Sequence, residues 1–193
     1  MKKNLLITIL TLVLCLFMVV PVLAEGEEAE GGFADEYYRL LDMASLLSDD
    51  DVNSLTARLD ELSLRQKMDV VIATTNTLEG KSVVEYADDL YDYCSFGYGA
   101  NRDGLILVIS LEDNDWYIST CGYGITAFTD AGIDYIGEQI VPYLSDKDFA
   151  GAFATYITLC DEFITQARTD KPYDIGSLPR KPLSPAWILV SLI

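Results

Sequence analysis

Two short, unbroken apolar runs constrain what this chain can fold into. Val70-Val71-Ile72, inside residues 69–75, and Leu105-Ile106-Leu107-Val108-Ile109, inside residues 104–110, lack the alternation of a half-exposed strand. Runs of that length and β-branched content read as strands buried on both faces. Between them, Ser82 and Glu85 form a capping box, and Val84, Ala87, Tyr91 and Cys94 supply a helical stripe. A strand, a crossover helix and a strand predict two parallel strands with a right-handed connection. Glu112-Asp113-Asn114-Asp115 then reads as a polar turn, and residues 116–120 as the returning strand of a hairpin.

Helices flank this unit. Ser48 followed by three aspartates is a helix start, and Val52, Leu55, Leu59 and Leu62 form one apolar stripe up to about Arg65. Thr129 or Asp130 caps a helix carrying Ile133, Ile136, Ile140 and Leu144, which Pro142 is expected to kink or end. Phe149, Phe153, Tyr156, Cys160, Phe163 and Ala167 mark the last helix. The order predicts an α/β layered domain over residues 37–168.

The ends read differently. Residues 1–24, with Lys2 and Lys3 before an apolar stretch and Val22-Leu23-Ala24 at its close, read as a cleaved signal peptide. An uncleaved anchor is the weaker alternative, since residues 4–23 are long enough to span a bilayer. Residues 25–36 form an acidic tether, and residues 169–185, with Pro172, Pro179, Pro182 and Pro185, a linker. Residues 186–193 are apolar but too short to cross, and read as the start of a truncated transmembrane helix.

The chain has no histidine, which removes Ser-His-Asp and Cys-His nucleophile pairs and imidazole-based zinc sites. With 31 Asp and Glu against 13 Lys and Arg, the net charge is −18. Such a surface repels nucleic acid and attracts cations. Gly80-Lys81-Ser82 lacks the upstream glycine of a phosphate loop, where Thr75 stands, and reads as a turn and cap. The run beginning Gly122-Tyr123-Gly124 follows the second strand of a hairpin, so it is rejected as a dinucleotide fingerprint. Asp49-Asp50-Asp51 reads as a solvated helix start, and Asp113 and Asp115 as turn residues.

Topology suggests where chemistry collects. The crossover helix ends near the starts of both parallel strands, and the hairpin strand finishes at the same edge. Asp69, Asp103, the Gly97-Tyr98-Gly99 loop, the Gly122-Tyr123-Gly124 loop and Asp130 are therefore expected to converge. Asp103 and Asp130 suit a hard cation, but local backbone capping explains their spacing equally well. Cys94 and Cys121 fall there too, either as a disulfide or as two buried thiols. Cys160 reads as core.

Several stretches together resemble the TPM domain: Asp42-Met43-Ala44-Ser45-Leu46-Leu47-Ser48, Asp69 with its strand, Tyr86-Ala87, Asn101-Arg102-Asp103-Gly104, Gly122-Tyr123-Gly124, Thr129-Asp130 and Asp148-Phe149-Ala150-Gly151. The resemblance covers roughly residues 38–167, in order. It implies a three-layer sandwich, a small mixed central sheet flanked by helices, often followed by a transmembrane helix. It also implies divalent-metal binding, carried by motif position to Asp42, Asp103 and Asp130, with Ca2+ as the expected ion and Mg2+ second. Cys121 departs from the usual residue before the Gly-Tyr-Gly loop.

The family includes a thylakoid-lumen acid phosphatase and a receptor modulator, so two functions compete. One is an exported, cation-binding interaction or repair module at the extracytoplasmic face of the cell membrane. That module would be held there by a C-terminal helix and would engage a protein partner of the cell envelope. The other is metal-assisted phosphomonoester hydrolysis, which needs positive groups to hold a phosphate. Arg102 is the one cation the topology places near the edge, so the module is favoured.

Overall fold

The structure is a computed structural model that describes residues 39–179 of the chain. The leader (1–24), the whole acidic tether (25–36), the end of the linker (180–185) and the apolar stretch 186–193 lie outside the described residues.

Four strands form one mixed sheet in sequence order: β1 (Leu40–Asp42), β2 (Asp69–Thr75), β3 (Gly104–Ser110) and β4 (Asp115–Cys121). β1, β2 and β3 run parallel, and β4 returns antiparallel beside β3. Every residue of β2 and β3 is buried, as continuous apolar runs require. The helices are α1 (Asp49–Gln66), α2 (Val83–Tyr93), α3 (Gly124–Ala127), α4 (Asp130–Ser145) and α5 (Phe149–Thr169). Ser48, Ser82, Thr129 and Asp148 cap α1, α2, α4 and α5, each side chain accepting from a backbone amide three residues on.

Strand alternation divides the core in two. Val70, Ile72, Leu105, Leu107 and Ile118 face α1, α4 and α5, where Phe153, Tyr156, Phe163 and Ile136 are fully buried. Val71, Ala73, Ile106 and Val108 face the other way, and α2 covers them with Val83, Ala87 and Tyr91. The result is the three-layer α/β sandwich that the sequence implied.

Some details differ. β1 was not expected: three residues have no periodicity to read, and the strand exists because Leu40, Leu41 and Asp42 pair with Ile72, Ala73 and Thr74. The single turn α3 was also unforeseen. In α2 it is Val83 that is buried, whereas Val84 is 40% exposed. α4 runs on to Ser145, three residues past Pro142. The first part of the proline-containing stretch lies against the domain, with the Tyr173 ring 4.8 Å from that of Phe163 and Leu178 packed on the core. No helix among the described residues is long and apolar enough to cross a membrane.

Candidate functional site: a carboxylate-clamped loop edge

The edge at which β2 and β3 begin is assembled around two aspartates. Asp103 precedes β3; its carbonyl accepts from the amides of Asp69 and Tyr98, each at 2.9 Å, and its amide donates back to the Tyr98 carbonyl at 3.0 Å. Its carboxylate Oδ1 accepts the Tyr123 amide at 2.7 Å. Asp103 thus joins the Gly97-Tyr98-Gly99 loop, β2 and the Gly122-Tyr123-Gly124 loop. Asp69, 4% exposed, adds a second tie: Oδ2 accepts the Gly97 amide at 2.8 Å and Oδ1 accepts Arg39 Nε at 3.0 Å. The expected convergence of Asp69, Asp103 and both glycine loops is therefore observed.

Glycine is required where these segments touch. Gly122 has φ +58°, and a Cβ there would collide with Asp103 Oδ1 and stand 2.7 Å from the Asn101 carbonyl oxygen. Two hard oxygen acceptors thus lie close together against the Gly122 backbone, which only glycine allows. Gly97, at φ +115°, leaves no room for a Cβ against the Arg102 backbone, 2.6 Å away.

The cations at this edge are engaged. Arg102 donates to the carbonyls of Phe96 and Tyr91 and to Asp92, and lies 5.1 Å from the centre of the Tyr91 ring. Arg39 bridges Asp69 and Asp60. Arg168 stacks 5.8 Å from the Tyr123 ring centre and donates to the Gln66 carbonyl. The sequence offered no period or motif that would bring Arg39 or Arg168 here. Lys67, at the C-cap of α1, is exposed. Burial, with Cys121, Asp69 and Asp103 adding to it, pushes the Tyr91 phenol up, so it remains a donor to the Arg102 carbonyl at 3.1 Å. Neither Cys94 nor Cys121 is in a disulfide; both are half-buried against the α2 side of the core, and burial pushes the Cys94 thiol up.

Asp42 is elsewhere. It pairs with Thr74, near the end of β2, whereas Asp103 adjoins the Gly104–Asp69 pair at the start. Five strand residues separate the two levels, roughly 17 Å. The Asp42 carboxylate accepts the Leu46 and Leu47 amides at 3.1 and 3.0 Å and the Thr74 hydroxyl at 2.6 Å. It clamps the loop between β1 and α1. Asp130 is the first residue of α4 and is exposed. Asp42, Asp103 and Asp130 thus do not fit one shared ion, and no group of three or more acidic or thiol side chains among the described residues is placed to hold a metal. Asp103 with the Asn101 carbonyl retains the donor chemistry of a hard cation, with water completing the shell.

A family model described as "TPM domain" matches residues 40–163. The UPF0603 protein YdjH of Bacillus subtilis (strain 168) is 27% identical over 147 residues, covering 76% of this chain and 55% of that protein. The chain therefore spans little more than half the length of this curated relative. Among solved structures, the N-terminal domain of a P. gingivalis protein is similar with a TM-score of 0.59 at 19% identity, covering 74% of this chain and 90% of that one. BA42 from Bizionia argentinensis gives a TM-score of 0.56 at 13% identity, covering 70% and 91%. The N-terminal domain of cg2496 from Corynebacterium glutamicum gives 0.53 at 16%, covering 77% and 93%. These likenesses carry the fold.

Proposed function

The chain belongs to the TPM-domain family, and on that premise we propose that it is an exported, membrane-associated interaction module whose loop edge takes up a divalent cation. Ca2+ is the ion of choice and Mg2+ the second; the partner is a protein of the cell envelope, met at the extracytoplasmic face. The observation that carries the reading is the meeting of both glycine loops on Asp103, where its Oδ1 and the Asn101 carbonyl oxygen come together against Gly122. A cation there would hold the two loops in one arrangement, and Asp130 at the start of α4 would add charge. With so few protein oxygens and the rest water, affinity belongs to the weak class of extracellular modules, on the order of 10⁻⁴–10⁻³ M.

Metal-assisted phosphomonoester hydrolysis is the weaker reading. A phosphate needs unengaged positive groups. Arg102, Arg39 and Arg168 are each tied to carboxylates or carbonyls, which leaves the exposed Lys67 in a strongly acidic chain.

A calorimetric Ca2+ titration of the whole chain tests the proposal beside Asp103→Asn and Asp130→Asn. Saturable binding in the parent that falls at least tenfold in Asp103→Asn, and by a smaller factor in Asp130→Asn, is expected. Binding indifferent to both substitutions would remove the cation from this edge. Hydrolysis of a simple phosphate ester that disappears in Asp103→Asn would reverse the ranking of the two functions.

A further inference from the structure

The two outer strands of the sheet are finished differently. β1 is three residues long and ends at Asp42, whose carboxylate is turned onto the next loop. Such a stub offers little to a passing strand. β4 has seven residues, pairs with β3 without a bulge from Asp115 to Cys121, and among the described residues has no strand on its outer side. It contains neither proline nor lysine, and apart from Asp115 at its start it carries no charge. A short strand, a bulge, proline and lysine, all usual protections of an edge, are missing along its length.

Beside the start of β4 lies a groove of about 410 Å3, between the β3–β4 turn and the helices of the larger core side. Trp116, Phe149, Leu111, Val141 and Leu144 give it apolar walls, and Lys147 is the cation among its lining residues. Trp116 also fills the space opposite Gly137 of α4, where any Cβ would collide with the indole. Around this edge the charge is negative. Asp88 of α2 accepts the hydroxyl of Ser119 at 2.5 Å, Asp115 opens the strand and Glu112 stands in the turn. Exposed Asp134 and Glu138 flank Gly137 on α4.

We propose that β4 is a docking edge for an extended, basic segment of a partner protein, which adds as a fifth strand and places one large apolar side chain in the Trp116 groove. Strand addition would supply main-chain hydrogen bonds, the groove would select a side chain and the carboxylates would select the sign of charge. A second copy of this chain is the poorer occupant, because pairing two β4 edges would bring Asp88, Asp115 and their neighbours against themselves in a chain of net charge −18. The inference deepens the interaction-module reading and rests on it, but centres on the Trp116 end of β4, opposite the end that meets the Asp103 edge. Loss of Ca2+ binding in Asp103→Asn and loss of docking at β4 are therefore separable results.

The test uses the full-length chain and two synthetic eight-residue probes. One alternates lysine with valine and carries a central phenylalanine; in the other, glutamate replaces every lysine. Hydrogen exchange followed by mass spectrometry should show slowing at 115–121 with the lysine probe alone. Ser119→Lys puts a cation on the edge within reach of Asp88 and should weaken that binding at least tenfold, while Ser119→Ala should leave it within twofold. Equal protection by both probes, protection spread over the helices with none in β4, absence of binding at millimolar probe, or protection of β4 by self-association would each overturn the proposal.

Discussion

The two ends of the parallel strands are both closed by aspartates, and they are closed in opposite ways. At the far end Asp42 uses both oxygens on one loop, accepting from residues four and five positions ahead and from Thr74 beside it. At the near end Asp69 and Asp103 connect segments 20 to 30 residues apart: Arg39, the Gly97 loop and the Gly122 loop. Asp42 thus shapes a local turn, while Asp69 and Asp103 hold separate pieces of chain together. Motif position alone treats Asp42 and Asp103 alike. Their hydrogen bonds separate a carboxylate occupied by its own loop and Thr74 from one beside a second oxygen acceptor.

The largest expected effect is at Asp69. Asp69→Ala leaves the Gly97 amide without its acceptor and Arg39, 8% exposed, without one of its two carboxylates. Breaking a buried pair of this kind costs about 3–5 kcal/mol. Urea unfolding should register that loss; a change under about 1 kcal/mol, the size of a surface pair, would mean the near end is no more tightly held than an exposed turn.

Asp42→Ala comes next. It removes the acceptor of two amides and a hydroxyl but disturbs one loop, so a loss of about 2 kcal/mol is expected. Ca2+ affinity measured on the same variant should stay at the parent value. A drop in affinity would break the distinction between the ends.

The smallest effect comes from a clamp outside both ends. Asp161 of α5 meets Arg65 of α1 through two contacts, at 3.0 and 3.1 Å. Its burial alone would raise the carboxyl; the hydrogen bonds from Arg65 and Gln66 outweigh it and hold the group below the usual range. A carboxyl lowered on folding stabilises above its unfolded value, near pH 4, and loses that contribution as pH falls through the lower folded value. The pair is largely exposed, so less than about 1 kcal/mol is at stake. Asp161→Asn should flatten the melting temperature between pH 4 and pH 2 slightly, and an unchanged slope would show that the bridge adds nothing.

What was legible in the sequence follows from how local each signal is. β2, β3 and the Ser82 capping box depend on neighbouring residues and were readable to the residue. The loop edge was readable because handedness and a hairpin together dictate which loops meet. β1 was not, because its three residues become a strand only by pairing with β2. Val83 displaced Val84 in the core because the cap sets where the helix starts, and a shift of one residue rotates the buried stripe by about 100°. At the site, residue types announced acids and glycines but not commitments. Nothing before the fold says that Asp103 will take the Tyr123 amide, or that Arg168 will arrive from the end of α5.

The unequal covering of the sheet has a further consequence. Three long helices share one face, and two of them, α1 and α5, are tied by Arg58, Arg65 and Gln66 of α1 reaching α5. The other face is roofed by α2, eleven residues anchored by Val83, Ala87 and Tyr91, with Leu78 and Phe96 added from the loops before and after it. Lifting a single short helix exposes far less apolar surface than separating the opposite layer, so the molecule has a built-in order of opening. Under heat, denaturant or a pulling force, α2 should leave first, baring Val71, Ala73, Ile106 and Val108 while the other half of the sandwich is still intact. Such a half-open form would present a flat apolar sheet to its surroundings, and the acids along α2 are what would slow two of them from sticking together.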